Sequence, residues 1–266
     1  MAASPVSRPG GAERVQKVLA QLGLASRREA EQWIRAGRLT VNGKPAALGM
    51  RVIPQDQLKL DGRLIRQRAT KGASAPAPVF ICHRSPGEPL LPPRTAANPS
   101  DKVSATSSMA SRLPRRAGLR FISVSPLPAV DGGLELLTAD GAVASRLQRA
   151  MHGMEMEFSL RVRGELSPEQ QAAIRQGMLD RGSALQIVLL EPAGGEGSNR
   201  WYRLIALGAS GNEIRQLIER AAVTLVRMMR TRVGKLALPR TLPRSHWREL
   251  TGEELASVLD NSDSDR

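Results

Sequence analysis

Cysteine occurs once in 266 residues, at Cys82, which excludes an internal disulfide framework and any cysteine-based zinc site. A reducing compartment fits best, with the cytoplasm as the default. Long apolar runs are also missing: none approaches the ~18 residues that a membrane helix needs, so no membrane partner is expected. The first residues, Met1 to Gly11, are rich in Ala, Ser, Pro and Gly and lack the apolar stretch of a signal peptide; residues 1–12 read as a loose tail. Histidine is rare, and His83, His152 and His246 show no paired spacing with carboxylates or with Cys82, so no metal site is expected. The run Gly194 to Gly197 has no Lys-Ser/Thr after it and reads as a turn, not a phosphate loop. Tyrosine is found only at Tyr202.

What is present points to a polyanion. Against 25 acidic residues stand 39 basic ones, of which 33 are Arg and only 6 Lys, for a net charge of +14. Guanidinium suits bidentate contacts to phosphates and base edges, which makes nucleic acid the obvious partner. With 41% apolar residues the chain has room for one large and one small packed core.

From Glu13 the pattern is helical, with Val15, Val18, Leu19 and Leu22 on one face until Gly23. Ser26 followed by Glu29 is a capping-box signature that opens a second helix, with Ala30, Trp33 and Ile34 apolar and Gly37 as its stop. Leu39 and Val41 then alternate into Asn42-Gly43, and Leu58 and Leu60 into Asp61-Gly62; both dipeptides tolerate positive φ and mark hairpins. This unit spans 13–67. The small, proline-broken stretch 68–78 reads as a linker. Residues 79–250 alternate strands with helices, interrupted by an aperiodic stretch from His83 to Arg116 that reads as a long mobile loop. Residues 251–266 read as an acidic tail. An α+β fold is expected: a small αα-hairpin-plus-strands domain, then a larger domain on a mixed, mainly antiparallel sheet.

Residues 13 to 72 hold 13 basic and five acidic side chains. Arg27 and Arg28 in the first turn of a helix oppose its dipole, and that cost suggests a use, since guanidinia beside free backbone N–H groups make a phosphate site. The run ERVQKVLAQLGLASRREAEQWIRAGRLTVNGKPA resembles the S4 RNA-binding domain. The resemblance implies RNA contacts by Arg14, Lys17, Ser26, Arg27, Arg28, Arg35, Arg38, Asn42 and Lys44.

Three later stretches, LPAVDGGLELLTADGAVASRL (127–147), EMEFSLRVRGELS (155–167) and LVRMMRTRVGKLALPRTLPRSHWREL (225–250), resemble the RsuA/RluB-type bacterial ribosomal-RNA pseudouridine synthases, which carry this same N-terminal module. Such enzymes use no metal or organic cofactor; they detach uracil from its ribose and rejoin it through carbon, with one aspartate taking part directly. That aspartate lies in a segment like GRLDxxTxGLLLxTxDG. Anchoring on Gly133, Leu134, Leu136, Thr138, Asp140 and Gly141 places Pro128 at its position, with Asp131 replacing a threonine. The family tyrosine falls on Phe158, leaving a stacking face without its hydroxyl. The arginine that pairs with the catalytic carboxylate falls on Asn212, with Arg215 retained farther on.

Proline offers neither an oxygen for attack nor a proton to exchange. The expectation is a monomeric binder of ribosomal RNA or a ribosome precursor that no longer isomerises uridine, with Pro128, Phe158, Asn212 and Arg215 as a degenerate pocket. Two alternatives stand beside it: a working synthase whose carboxylate has relocated to Asp131, and a ribosome-associated protein scaffold.

Overall fold

The computed structural model describes residues 12–22, 24–65, 78–91, 108–114, 120–195 and 197–259, which fall into two compact units. The expected tail over 1–12 and linker over 68–78 lie, but for their last residues, outside the described residues.

The first unit consists of β1 (Glu13–Arg14), α1 (Val15–Gln21), α2 (Arg27–Arg35), β2 (Leu39–Val41), β3 (Lys44–Pro45), β4 (Arg51–Val52), β5 (Leu58–Leu60) and β6 (Arg63–Ile65). Helix α1 starts two residues later than its periodicity suggests, because Glu13 and Arg14 pair with β4 instead. Val15 and Leu19 from α1, Ala30 and Ile34 from α2, and Leu39 and Leu58 from the strands close one small apolar core. Ser26 caps α2 as expected, its hydroxyl accepting from the Glu29 N–H while the Glu29 carboxylate accepts from the Ser26 N–H. Asn42-Gly43 and Asp61-Gly62 take φ of 51° and 79°, and 48° and 78°, the consecutive left-handed pairs that tight hairpins require. The resulting four-stranded sheet runs β3-β2-β5-β6.

The second unit consists of β7 (Val79–Arg84), β8 (Ile122–Ser123), β9 (Gly132–Thr138), α3 (Gly141–Met151), β10 (Glu155–Arg163), α4 (Pro168–Gln176), β11 (Ile187–Pro192), β12 (Asn199–Leu207), α5 (Gly211–Arg220), β13 (Leu225–Val233), β14 (Leu236–Ala237), β15 (His246–Glu249) and α6 (Gly252–Leu259). Its sheet runs β11-β12-β10-β13-β9-β7-β15, with β14 on β13 and β8 on β9. Pairing is antiparallel except at the β13–β9 seam, where Met229 opposes Gly132 and Arg230 opposes Gly133. The seam needs glycine: a Cβ on Gly133, at φ 103°, would lie 2.3 Å from the Arg230 carbonyl oxygen.

The strict alternation of β10 sends Met156, Phe158, Leu160 and Val162 to one side. There they meet Leu147 and Ala150 of α3, Ile174 of α4, Ile214 and Leu217 of α5 and Val258 of α6 in the main core. On the other side of β7 and β9, Phe80, Cys82 and Leu137 form a smaller core with Leu90, Met109 and Leu113. This second core corrects the expectation that His83 to Arg116 is one long loop. His83 and Arg84 complete β7, and Met109–Arg112 forms a 3-10 turn whose Met109 is sealed against the sheet. Residues 92–107, the heart of that stretch, lie outside the described residues.

The expected tail from 251 is likewise corrected. Thr251 caps α6 by accepting from the Glu254 N–H, and Val258 is fully buried, so the apolar face Leu255-Val258-Leu259 belongs to the fold. Among the described residues no helix is long and apolar enough to cross a membrane.

Candidate functional site

In the first unit Arg27 and Arg28 stand exposed at the start of α2 with no acidic partner among the described residues. Arg14 and Lys44 are also exposed and have no ion pair among the described residues. The remaining basic candidates have local partners. Lys17 pairs with Glu13 one turn back, and Arg35 lies 3.9 Å from Glu31. Arg38 binds Asp61 through Nε at 2.9 Å and Nη2 at 2.5 Å and sits over the Trp33 ring. Asn42 has both ends of its amide in use, donating to Asp56 and accepting from the Gln57 N–H, each at 2.8 Å. Both bonds hold the turn in place.

In the second unit the segment leading into β9 is held from several sides. Asp131 closes a turn by donating its N–H to the Pro128 carbonyl at 3.0 Å. Arg84 donates to the carbonyls of Leu127 at 3.0 Å and Pro128 at 2.7 Å. Arg230 donates to the Ser125 carbonyl at 2.9 Å. The Leu127 N–H donates to Glu135 at 2.9 Å. Leu127 and Pro128 also press on the first residue of α5, where a Cβ on Gly211 would lie 2.6 Å from Leu127 Cδ2 and 2.8 Å from Pro128 Cδ.

Beneath this segment lies a charged cluster that the sequence reading missed. Glu135 and Arg230 are both fully buried and 3.1 Å apart, with Arg84 Nε 3.3 Å from the other Glu135 oxygen. Burial pushes the Glu135 carboxyl above its ordinary value and the Arg230 guanidinium below its own; their mutual attraction works against both displacements. One signal did exist: β9 is buried along its whole length, so the Glu in LELLT is a charge where the pattern otherwise demands an apolar residue.

The expected pocket residues are only partly brought together. Phe158 is fully buried in the main core, which corrects the expectation that it keeps a stacking face for a base. Asn212 points outward from α5 and is exposed. Asp131 is fully buried, and Arg215, one turn after Asn212, donates to it through Nε at 2.5 Å and Nη2 at 2.7 Å. That pair raises the Arg215 pKa. The positions that the resemblance assigns to the family pair hold Pro128 and Asn212; a carboxylate–guanidinium pair stands instead between Asp131 and Arg215, each three positions farther on. Its two members lie 84 residues apart in sequence. The three histidines each bond a backbone carbonyl through Nδ1, at Leu242, Gln148 and Arg244 respectively.

The S4 domain model matches residues 13–58. A crystal structure of a pseudouridylate synthase aligns with a TM-score of 0.57 and 17% identity, covering 92% of this chain and 99% of that one, which is a likeness of fold. Together these define the class: an S4-domain protein with a pseudouridine synthase fold. The ribosomal large subunit pseudouridine synthase B of Escherichia coli strain K12 is 35% identical over 240 residues, 90% of this chain and 79% of that protein. The protein of that name from Pseudomonas aeruginosa is 35% identical over 244 residues, 91% of this chain but 61% of the relative. The chain belongs to the RsuA/RluB-type family of ribosomal large subunit pseudouridine synthases.

Proposed function

We propose that this protein binds ribosomal RNA through its S4 domain and synthase fold without isomerising uridine. The observation that carries the reading is Pro128 at the position where the resemblance places the catalytic aspartate. A pyrrolidine ring can neither attack a sugar carbon nor exchange a proton. Asp131, the first carboxylate after Pro128 in the sequence, has its two oxygens engaged by Arg215 and no exposed surface. Positioning errors of about 1 Å are enough to disable a catalytic group. Arg27 and Arg28, exposed and without an acidic partner among the described residues, support RNA as the partner together with the family's ribosomal substrates, and a single copy of the chain suffices for this role.

Quantifying pseudouridine in ribosomal RNA from a deletion strain, with complementation, tests the proposal. Unchanged pseudouridine at every position is the expected result; a site lost on deletion and restored by the wild-type gene overturns it.

One observation favours a second reading, a rebuilt catalytic site. Asp131, three positions after Pro128, sets a buried carboxylate against Arg215, the arginine retained from the family motif. That reading requires Asp131→Asn to abolish uridine isomerisation in vitro while RNA affinity stays the same. Unaffected turnover eliminates it.

A further inference from the structure

The face of the large sheet turned away from the main core is divided electrostatically. Toward one end Glu157 of β10 accepts from Arg203 of β12 at 2.8 Å and lies 3.3 Å from Arg232 of β13, while Arg203 also reaches Glu191 at 3.1 Å and Arg232 reaches Glu155 at 3.1 Å. Every arginine in that row has a carboxylate.

Four residues along β10 the compensation stops. Arg161 stands directly opposite Trp201 of β12 on one side and directly opposite Arg227 of β13 on the other, so the three side chains form one row across three adjacent strands. The Arg161 guanidinium lies 5.9 Å from the centroid of the Trp201 ring. The exposed Arg244, from the loop before β15, is close enough to add its charge to the group. Arg161, Arg227 and Arg244 make no ion pair among the described residues, and the buried Nε atoms of Arg161 and Arg227 have no hydrogen-bond partner. Burial, followed by the charges of Arg244 and Arg161, holds the Arg227 guanidinium below its ordinary value.

Like charges placed directly opposite on paired strands destabilise a sheet, and an unpartnered buried guanidinium N–H adds to the penalty. A bound anion relieves both. Three arginines gathered without a carboxylate suit a phosphate, and a half-buried indole in the same row suits the flat face of an unstacked base. We infer that Arg161, Arg227, Arg244 and Trp201 form a second RNA contact, in which the guanidinia hold a backbone phosphate and the indole supports an adjacent unpaired base. The inference rests on the RNA-binding reading above and adds a place on the second unit where single-stranded RNA lies.

The test is anisotropy titration of the full chain with a fluorescein-labelled RNA stem-loop carrying an unpaired loop, from ~50 to ~200 mM salt. Arg161→Gln/Arg227→Gln is expected to weaken binding at least about 10-fold at the low-salt end and to make the log–log salt slope shallower by about 1.5. Trp201→Ala is expected to weaken binding about 10-fold with the slope unchanged, because stacking releases no counterions. Arginine modification of the wild-type protein, read by mass spectrometry, supplies an arm independent of how the variants fold: bound RNA should protect Arg161 and Arg227. Wild-type binding with neither protection nor any change in the variants overturns this contact alone. Absence of wild-type binding to this stem-loop and to deproteinised large-subunit ribosomal RNA overturns the RNA-binding reading with it.

Discussion

Asp131, fully buried, and Arg215, 31% exposed, are joined by two parallel hydrogen bonds across 84 residues of sequence. Their unequal exposure makes the pair asymmetric. Arg215→Ala strands a carboxylate in the interior and is expected to lower stability by about 3 kcal/mol. Asp131→Ala frees a guanidinium that can turn to water, and should cost only about 1–2 kcal/mol. Urea unfolding of the two variants checks this; a greater loss for Asp131→Ala would refute the assignment of Asp131 as the dependent partner.

The buried cluster should be more sensitive still. Glu135→Ala leaves both Arg84 and Arg230 without their carboxylate and removes the acceptor of the Leu127 N–H, so a loss of about 3–5 kcal/mol is expected. Hydrogen exchange at the Leu127 amide should accelerate as well. A variant within 1 kcal/mol of wild type would mean that the cluster does not hold the segment before β9.

Arg248 donates to both oxygens of Glu254, at 2.7 and 2.6 Å, and holds its carboxyl at about 2, down from an ordinary 4.5. A carboxyl whose folded value is depressed stabilises the protein above its unfolded value, and that contribution disappears as pH falls through the folded one. The stability difference between wild type and Glu254→Gln should therefore be constant above 4.5 and shrink to nothing near 2. Partial exposure limits its size to about 1 kcal/mol at neutral pH. Chemical unfolding at several pH values would show a flat difference if the Arg248 contact were unimportant.

Arg27 and Arg28 are exposed and have no acidic partner among the described residues, so their removal should act on binding and spare the fold. Arg27→Ala/Arg28→Ala is expected to retain the thermal midpoint while flattening the salt dependence of ribosomal-RNA affinity by about 1.5 in log–log slope. An unchanged slope would take the S4 helix start out of the RNA contact.

Local signals were legible in the sequence because local physics decides them. The Ser26 box, the two hairpin dipeptides and the alternation of β10 all appear where the residues place them. The helix after Thr251 carried a similar Thr-x-x-Glu signature, but the acidic run beyond it made the segment resemble a tail. Long-range pairings were not legible. Nothing near Asp131 announces Arg215, and nothing near Glu135 announces Arg84 and Arg230, because strand order alone brings them together. The unpaired row of Trp201, Arg161 and Arg227 was hidden for the same reason: in sequence its members are three unrelated residues on three strands.

The parallel seam between β13 and β9 has a consequence for how the chain assembles. Strands β10, β11 and β12 can zip over shorter stretches of chain, whereas Gly133 and Arg230 must meet across about half of the second unit, with loop-closure entropy against them and charge to be stripped of water on arrival. The seam is therefore expected to close late, and substitutions at Glu135 should accelerate unfolding far more than they slow refolding. What guards the mature protein in that case is a kinetic latch, fastened late and deciding how long the finished sheet survives before its halves part.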